Sequence, residues 1–136
     1  MSFSIEWYIP NRVIEVKGMG NLVAADFDQY SADLVRLLQE AEKNAPGQLV
    51  YNLHDVSGVE SYPPVYLMVT RALPVLRFKN RGPLFLITQS RKVQSIISLT
   101  SHIMDFPIRV FATREEAIAA LEITLAKEDV RTGGSS

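Results

Sequence analysis

The densest grouping of side chains able to do chemistry runs from His54 to Ser61, in the order His-Asp-Val-Ser-Gly-Val-Glu-Ser. An imidazole, two carboxylates and two hydroxyls in one short stretch are the raw material of nucleophilic hydrolysis or of a metal site. Nucleophilic catalysis needs a serine held against a histidine base that a third group orients. Here His54 has to meet Ser57 or Ser61 inside a single loop, and no Gly-x-Ser-x-Gly elbow occurs anywhere. The other histidine, His102, sits near an expected helix end, where a cation complements the dipole. One histidine beside Asp55 and Glu60 has no recognisable metal-ligand spacing. With no cysteine in the chain, thiolate zinc, iron–sulfur clusters and Cys nucleophiles are excluded. The expectation is a non-enzymatic protein with no cofactor and no metal.

Two further polar junctions remain. Gly18-Met19-Gly20-Asn21 lacks a third spaced glycine, and no Gly-Lys-Ser/Thr follows, so it reads as a turn needing positive φ, not a nucleotide loop. Ser90, Arg91 and Lys92 join a hydroxyl and two cations at an expected helix start, a candidate anion contact, with Ser90 also suited to be the N-cap. Lys plus Arg number 14 against 15 Asp plus Glu, a formal charge of -1, so no global field draws the chain to nucleic acid or anionic lipid. Phe3, Trp7 and Tyr8 have no basic residues interleaved as a stacking platform requires. No apolar run approaches the ~20 residues of a membrane span, and the N-terminal MSFSIEWYIPNR has no signal-like pattern. A cytoplasmic protein binding neither nucleic acid nor membrane is expected.

These groups must be positioned by one domain, expected over residues 1–129, with 130–136 as a flexible tail. FSIEWYIP and VIEVKGM alternate in polarity around Pro10-Asn11-Arg12 and predict a hairpin. Phe27, Tyr30, Leu34, Leu37, Leu38 and Ala41 recur at helical spacing, with Asp26 or Asp28 as the cap and Asn44 to Gly47 as the stop. LVYNLHDV reads as a strand ended by a turn at Gly58. A second helix is expected from Ser61 or Tyr62, burying Val65, Met68, Val69, Ala72, Leu73 and Leu76, with a kink or early end at Pro74. GPLFLIT is an apolar strand, Arg91 to Met104 a helix, and IRVFAT the last strand. Thr113 and Glu116 form a capping box opening a final helix with Ala117, Ile118, Leu121 and Leu125. The fold class is α/β, a five-stranded mixed sheet in the order β-β-α-β-α-β-α-β-α, with right-handed crossovers making the later strands parallel.

This order resembles the STAS superfamily, the sulphate-transporter and anti-sigma-factor-antagonist fold, over nearly the whole chain, and most resembles its divergent bacterial SpoIIAA-like branch. LVYNLHDVSGVESY is similar to the family's third-strand stretch, in which an apolar strand ends in Asp-Leu and leads to Asp-Ser at a helix start. On that pattern Asn52 takes the place of the first Asp, Leu53 the Leu, Glu60 the acid and Ser61 the serine. IRVFATREEAIAAL resembles the family's closing strand and helix. Tyr62-Pro63-Pro64 departs from the Ser and Gly that usually follow the key serine.

The resemblance implies a regulatory protein-interaction domain, with Ser61 as a candidate phosphorylation site and a kinase or anti-sigma-like regulator as partner. Phosphate adds roughly -2 charge and changes what a surface can dock. The expected surface comprises Asn52, His54, Asp55, Ser57, Glu60, Ser61, Tyr62, Tyr66 and Arg71. The alternative is a nucleotide, lipid or anion held where the three polar junctions converge beyond the strand carboxyl ends. A homodimer through the first hairpin is a further expectation, because FSIEWYI has little lysine or arginine to protect an edge.

Overall fold

The computed structural model describes residues 2–133. Its elements are β1 (Phe3–Ile9), β2 (Val13–Asn21), α1 (Ala24–Asn44), β3 (Val50–Ser61), α2 (Val65–Ala72), β4 (Arg81–Ile87), α3 (Arg91–Met104), β5 (Ile108–Phe111) and α4 (Arg114–Gly133), with a 3₁₀ turn over Leu73–Arg77. The strands lie in the order β1-β2-β3-β4-β5, β1 antiparallel to β2 and every other neighbouring pair parallel. The expected five-stranded mixed sheet is therefore the architecture, with β3 at its centre and β1 and β5 at its edges.

Strand alternation divides the core into two layers. Ile14, Val16 and Val50 meet Leu34, Leu37, Leu38 and Ala41 of α1, while Leu84, Leu86 and Val56 meet Met68 of α2 and Val93 and Ile97 of α3. On the opposite face Val13, Tyr51, Leu53, Phe85 and Ile87 pack on Ala117, Leu121 and Leu125 of α4. Glu15 also faces α4 and is only 7% exposed; the Arg114 guanidinium donates to its carboxylate and thereby compensates the buried charge. Arg114 is held well above its ordinary pKa, first by that hydrogen bond.

Helix boundaries follow local chemistry. Asp26 accepts the Val23 N–H at 2.8 Å, Ser90 accepts the Val93 N–H at 3.2 Å, and Thr113 accepts the Glu116 N–H at 3.2 Å. Asp28 caps nothing: it pairs with Arg71 at 2.7 Å, tying α1 to α2. α4 continues through Gly133, past the expected boundary at Asp129, and residues 134–136 of the expected tail lie outside the described residues.

Three local expectations are corrected. First, β3 does not turn at Gly58; it continues to Ser61, pairing Gly58 with Met19, Val59 with Gly20 and Ser61 with Asn21 through two register shifts. The glycines reflect close approach between strands. A Cβ at Gly18 would lie 2.9 Å from Val59 Cγ2 and 3.2 Å from Phe3 Cε1, and one at Gly58 would lie 3.3 Å from the Gly18 carbonyl oxygen. Only Gly20 in this stretch has positive φ, at 75°. Gly18→Ala is expected to overpack this contact at a cost of about 1–3 kcal/mol, measured as a lower urea midpoint with an unchanged m-value.

Second, α2 starts at Val65 behind Pro64, and not at Ser61 or Tyr62. Third, the buried side of the helix does not reach Leu73: α2 ends early at Ala72, as expected from Pro74, and gives way to the 3₁₀ turn. The period drops from 3.6 to 3.0 residues there. Val75 is buried as a result, while Leu73 stands half exposed instead of joining the core.

Candidate functional site at the end of the central strand

β3 carries most of the polar residues singled out above, and its pleat distributes them. Asn52 and His54 face the α1–α3 layer, where they line a cavity, while Asp55 lies in the alternate register. Asp55 accepts hydrogen bonds from the Ser57 N–H at 3.0 Å and the Ser57 hydroxyl at 2.6 Å. These bonds brace the irregularity that carries β3 beyond β4, whose pairing with β3 ends at Asp55 and Ile87. β2 and β3 therefore extend alone as a two-stranded arm.

Ser61 ends that arm. Its hydroxyl donates to Asn21 Oδ1 at 2.7 Å, and its carbonyl accepts the Leu22 N–H at 2.9 Å. The residue is half-buried at the tip of the central strand. Around it Met19 (63% exposed), Val23 (56%) and Tyr66 (69%) stand in solvent, as do Ser57, Gly58 and Glu60. Exposed apolar side chains thus stand within a few residues of Asn21 and of Ser61, the hydrogen-bonded pair that closes the arm.

The expected partner surface thus separates into three parts. Glu60 and Ser61 end β3 at the tip, and Tyr66 follows in the first turn of α2. Arg71 is engaged with Asp28, and Asp55 with Ser57. Asn52, His54 and the Tyr62 hydroxyl turn inward, which corrects their placement on an exposed partner surface. His54 is 6% exposed, and burial lowers its pKa to about 4 against a smaller opposing effect of Asp55. Burial raises Tyr30 to about 12, partly offset by the Asn52 side chain. Tyr62 is raised still further, by burial and then by Tyr30.

No serine meets a histidine in this segment: Ser57 is bonded to Asp55 and Ser61 to Asn21. Among the described residues no cluster of three His, Asp or Glu side chains could hold a metal ion. At the third junction Thr88 accepts the Ser90 N–H at 3.1 Å and Ser90 caps α3, with Arg91 and Lys92 exposed beside it. Neither Gly18 to Asn21 nor Gln89 to Lys92 lines the cavity that Asn52 and His54 face. The three junctions do not converge on one pocket. Sequence reading gives neither Asn21 as the hydrogen-bond partner of Ser61 nor Tyr30 as a wall of the cavity. Asn21 lies 40 positions from Ser61 and reaches it only through parallel pairing, while Tyr30 is hidden within the apolar stripe of α1.

No protein-family model and no curated protein matches the sequence. Solved structures do. The anti-sigma factor antagonist SpoIIAA in its unphosphorylated form superimposes with a TM-score of 0.61 at 17% identity, over 89% of this chain and 98% of that one. The fold is SpoIIAA-like. An anti-sigma factor antagonist from Mycobacterium paratuberculosis gives 0.56 at 19% identity, covering 89% and 93%. An uncharacterised protein with a SpoIIAA-like fold from Shewanella loihica PV-4 gives 0.56 at 16%, covering 88% and 92%. The SpoIIAA-like architecture accounts for the single hairpin, the parallel strands and the four helices. No described helix is long and apolar enough to cross a membrane.

Proposed function

We propose that this chain is a non-enzymatic regulatory domain that binds a protein partner at the β2–β3 tip, with Ser61 as the control point. One observation carries the reading: a half-buried serine hydroxyl ends the central strand amid the exposed side chains of Met19, Val23 and Tyr66. Apolar groups held in water without a core role supply area for a partner to cover. The serine supplies a switch. Phosphate on Ser61 removes its hydrogen bond to Asn21 and adds roughly -2 charge at a tip whose neighbouring residue, Glu60, is already acidic. The tip would then repel an acidic or apolar partner and attract an arginine-rich one.

Two solved neighbours are anti-sigma factor antagonists, and one is described in its unphosphorylated form. On that analogy the partner class is a kinase or anti-sigma-like regulator. Fold alone does not assign it; the exposed tip is the supporting feature particular to this chain.

The test uses wild type, Ser61→Asp and Tyr66→Ala as parallel baits from the native host, followed by titration of the purified partner. The expected result is a partner held by wild type and bound at least about tenfold more weakly by both variants, a change of roughly 1.4 kcal/mol. Equal affinities would retire the tip as the docking surface.

A further inference from the structure

Behind the tip, between the sheet and α1–α3, lies a cavity of about 100 Å³. Its walls are hydrocarbon for the most part, with Ile14, Leu34, Leu38, Met68, Leu84 and Ile97 among them. Three buried polar atoms on its lining residues have no hydrogen-bond partner: Asn52 Oδ1, His54 Nδ1 and the Tyr62 hydroxyl. Buried polar groups are ordinarily paired, and each left unpaired costs about 1–3 kcal/mol. Three unpaired atoms around one void mark a place built for an occupant. We infer that this cavity is a binding site for a small uncharged molecule that carries one hydroxyl on an apolar ring.

The chemistry selects that class. Asn52 Oδ1 only accepts, so it calls for a ligand donor, whereas the Tyr62 hydroxyl and a neutral imidazole donate or accept. A hydroxyl does both and satisfies more than one of them. His54 and both tyrosines are neutral at physiological pH, so the polar corner offers no charge to pair with an ion. Arg81 is the one charged residue among the lining residues, its Nε donating to the Phe78 carbonyl at 3.0 Å, and benzoate is the probe that tests whether its guanidinium takes an anion. The volume matches about three waters and is about two-thirds of the roughly 150 Å³ engineered cavity that admits benzene, so a six- or seven-atom ring enters as the flexible Met68 and Met104 side chains of the wall give way. Waters need about two to four polar partners each, which these walls do not supply to three of them, so an apolar body with one polar group fits better.

The site is separate from the tip, and the inference does not rest on the protein-docking reading. The experiment is an amide NMR titration of the full chain with benzyl alcohol, phenol, toluene and benzoate, with thermal melts alongside. Benzyl alcohol or phenol should give saturable shifts at Asn52, His54 and Tyr62, and raise Tm by about 3–6 °C at ten times Kd. Toluene and benzoate should bind at least about fivefold more weakly, the first lacking the hydroxyl and the second burying a charge. Tyr62→Phe and, independently, Asn52→Leu should weaken the alcohols about 5–20-fold and leave toluene unchanged. Ala72→Leu, which fills the cavity, should abolish all binding. The ranking of the four probes on wild type needs no variant to fold. Three results would overturn the inference: no saturable shift up to the solubility limit, leaving water as the sole occupant; toluene binding as tightly as benzyl alcohol; or benzoate binding most tightly.

Discussion

Lowering the pH from about 7.5 to about 4.5 is expected to cost wild-type protein about 2–3 kcal/mol more than it costs a His54→Phe variant. His54 is buried against Phe3 and Tyr30, with ring centroids at 6.4 and 5.9 Å. Burial depresses its pKa from 6.5 to about 4, while Asp55 opposes that fall by a smaller amount. The folded state therefore stays unprotonated between these values while the unfolded chain takes up a proton. Stability from this group is fully present above about pH 6.5. It declines as pH falls through the window and is lost by about pH 4, for a total of roughly 3 kcal/mol. Phe at position 54 cannot titrate and occupies a similar volume. Urea unfolding at a series of pH values is the measurement: the wild-type curve should diverge downward from the variant's as pH falls through that window and stay offset below it. Parallel curves would mean that His54 is solvated.

Phe85→Ala is expected to remove about 3–5 kcal/mol. Phe85 has no exposed surface and lies on β4 in the α4 layer. It stacks on Phe111 with centroids 5.7 Å apart and planes 9° from parallel, and it meets Tyr51 edge-on at 6.1 Å. The Arg109 guanidinium lies 5.3 Å from its ring centroid. Truncation removes a large transfer free energy and leaves a void that a sheet and helix on either side cannot close. Ile123→Ala on the exposed side of α4 should change stability by less than about 0.5 kcal/mol, because Ile123 is 58% exposed. Denaturant midpoints for the two variants distinguish them, and similar losses would contradict the placement of the core.

The contrast between the layers and the tip explains what the residues themselves disclosed. α3 runs over the expected Arg91 to Met104 because its signals are local: Ser90 caps it and Asp105, at φ 54°, ends it. The stripe Phe27, Leu34, Leu37, Leu38 and Ala41 likewise declares its buried side through spacing alone. The tip gave no such signal. Gly58 looks like a turn residue, yet it serves parallel pairing with a strand whose partner residues lie some 40 positions earlier. The motif predicts Ser61 at the tip of the central strand, where it lies, but not that it ends the strand instead of opening a helix. Two prolines follow it, and α2 begins only behind the second. The inward turn of Asn52, His54 and Tyr62 was equally illegible, since polar residue types suggest a surface and only the pleat of β3 reveals which layer they enter.

Hydrogen–deuterium exchange on the chain with its captured partner bound tests most directly whether the tip is where binding occurs. Protection should grow over residues 18–23 and 57–67 and stay unchanged in α4. Protection confined to α4, or to the β5 edge, would contradict the account.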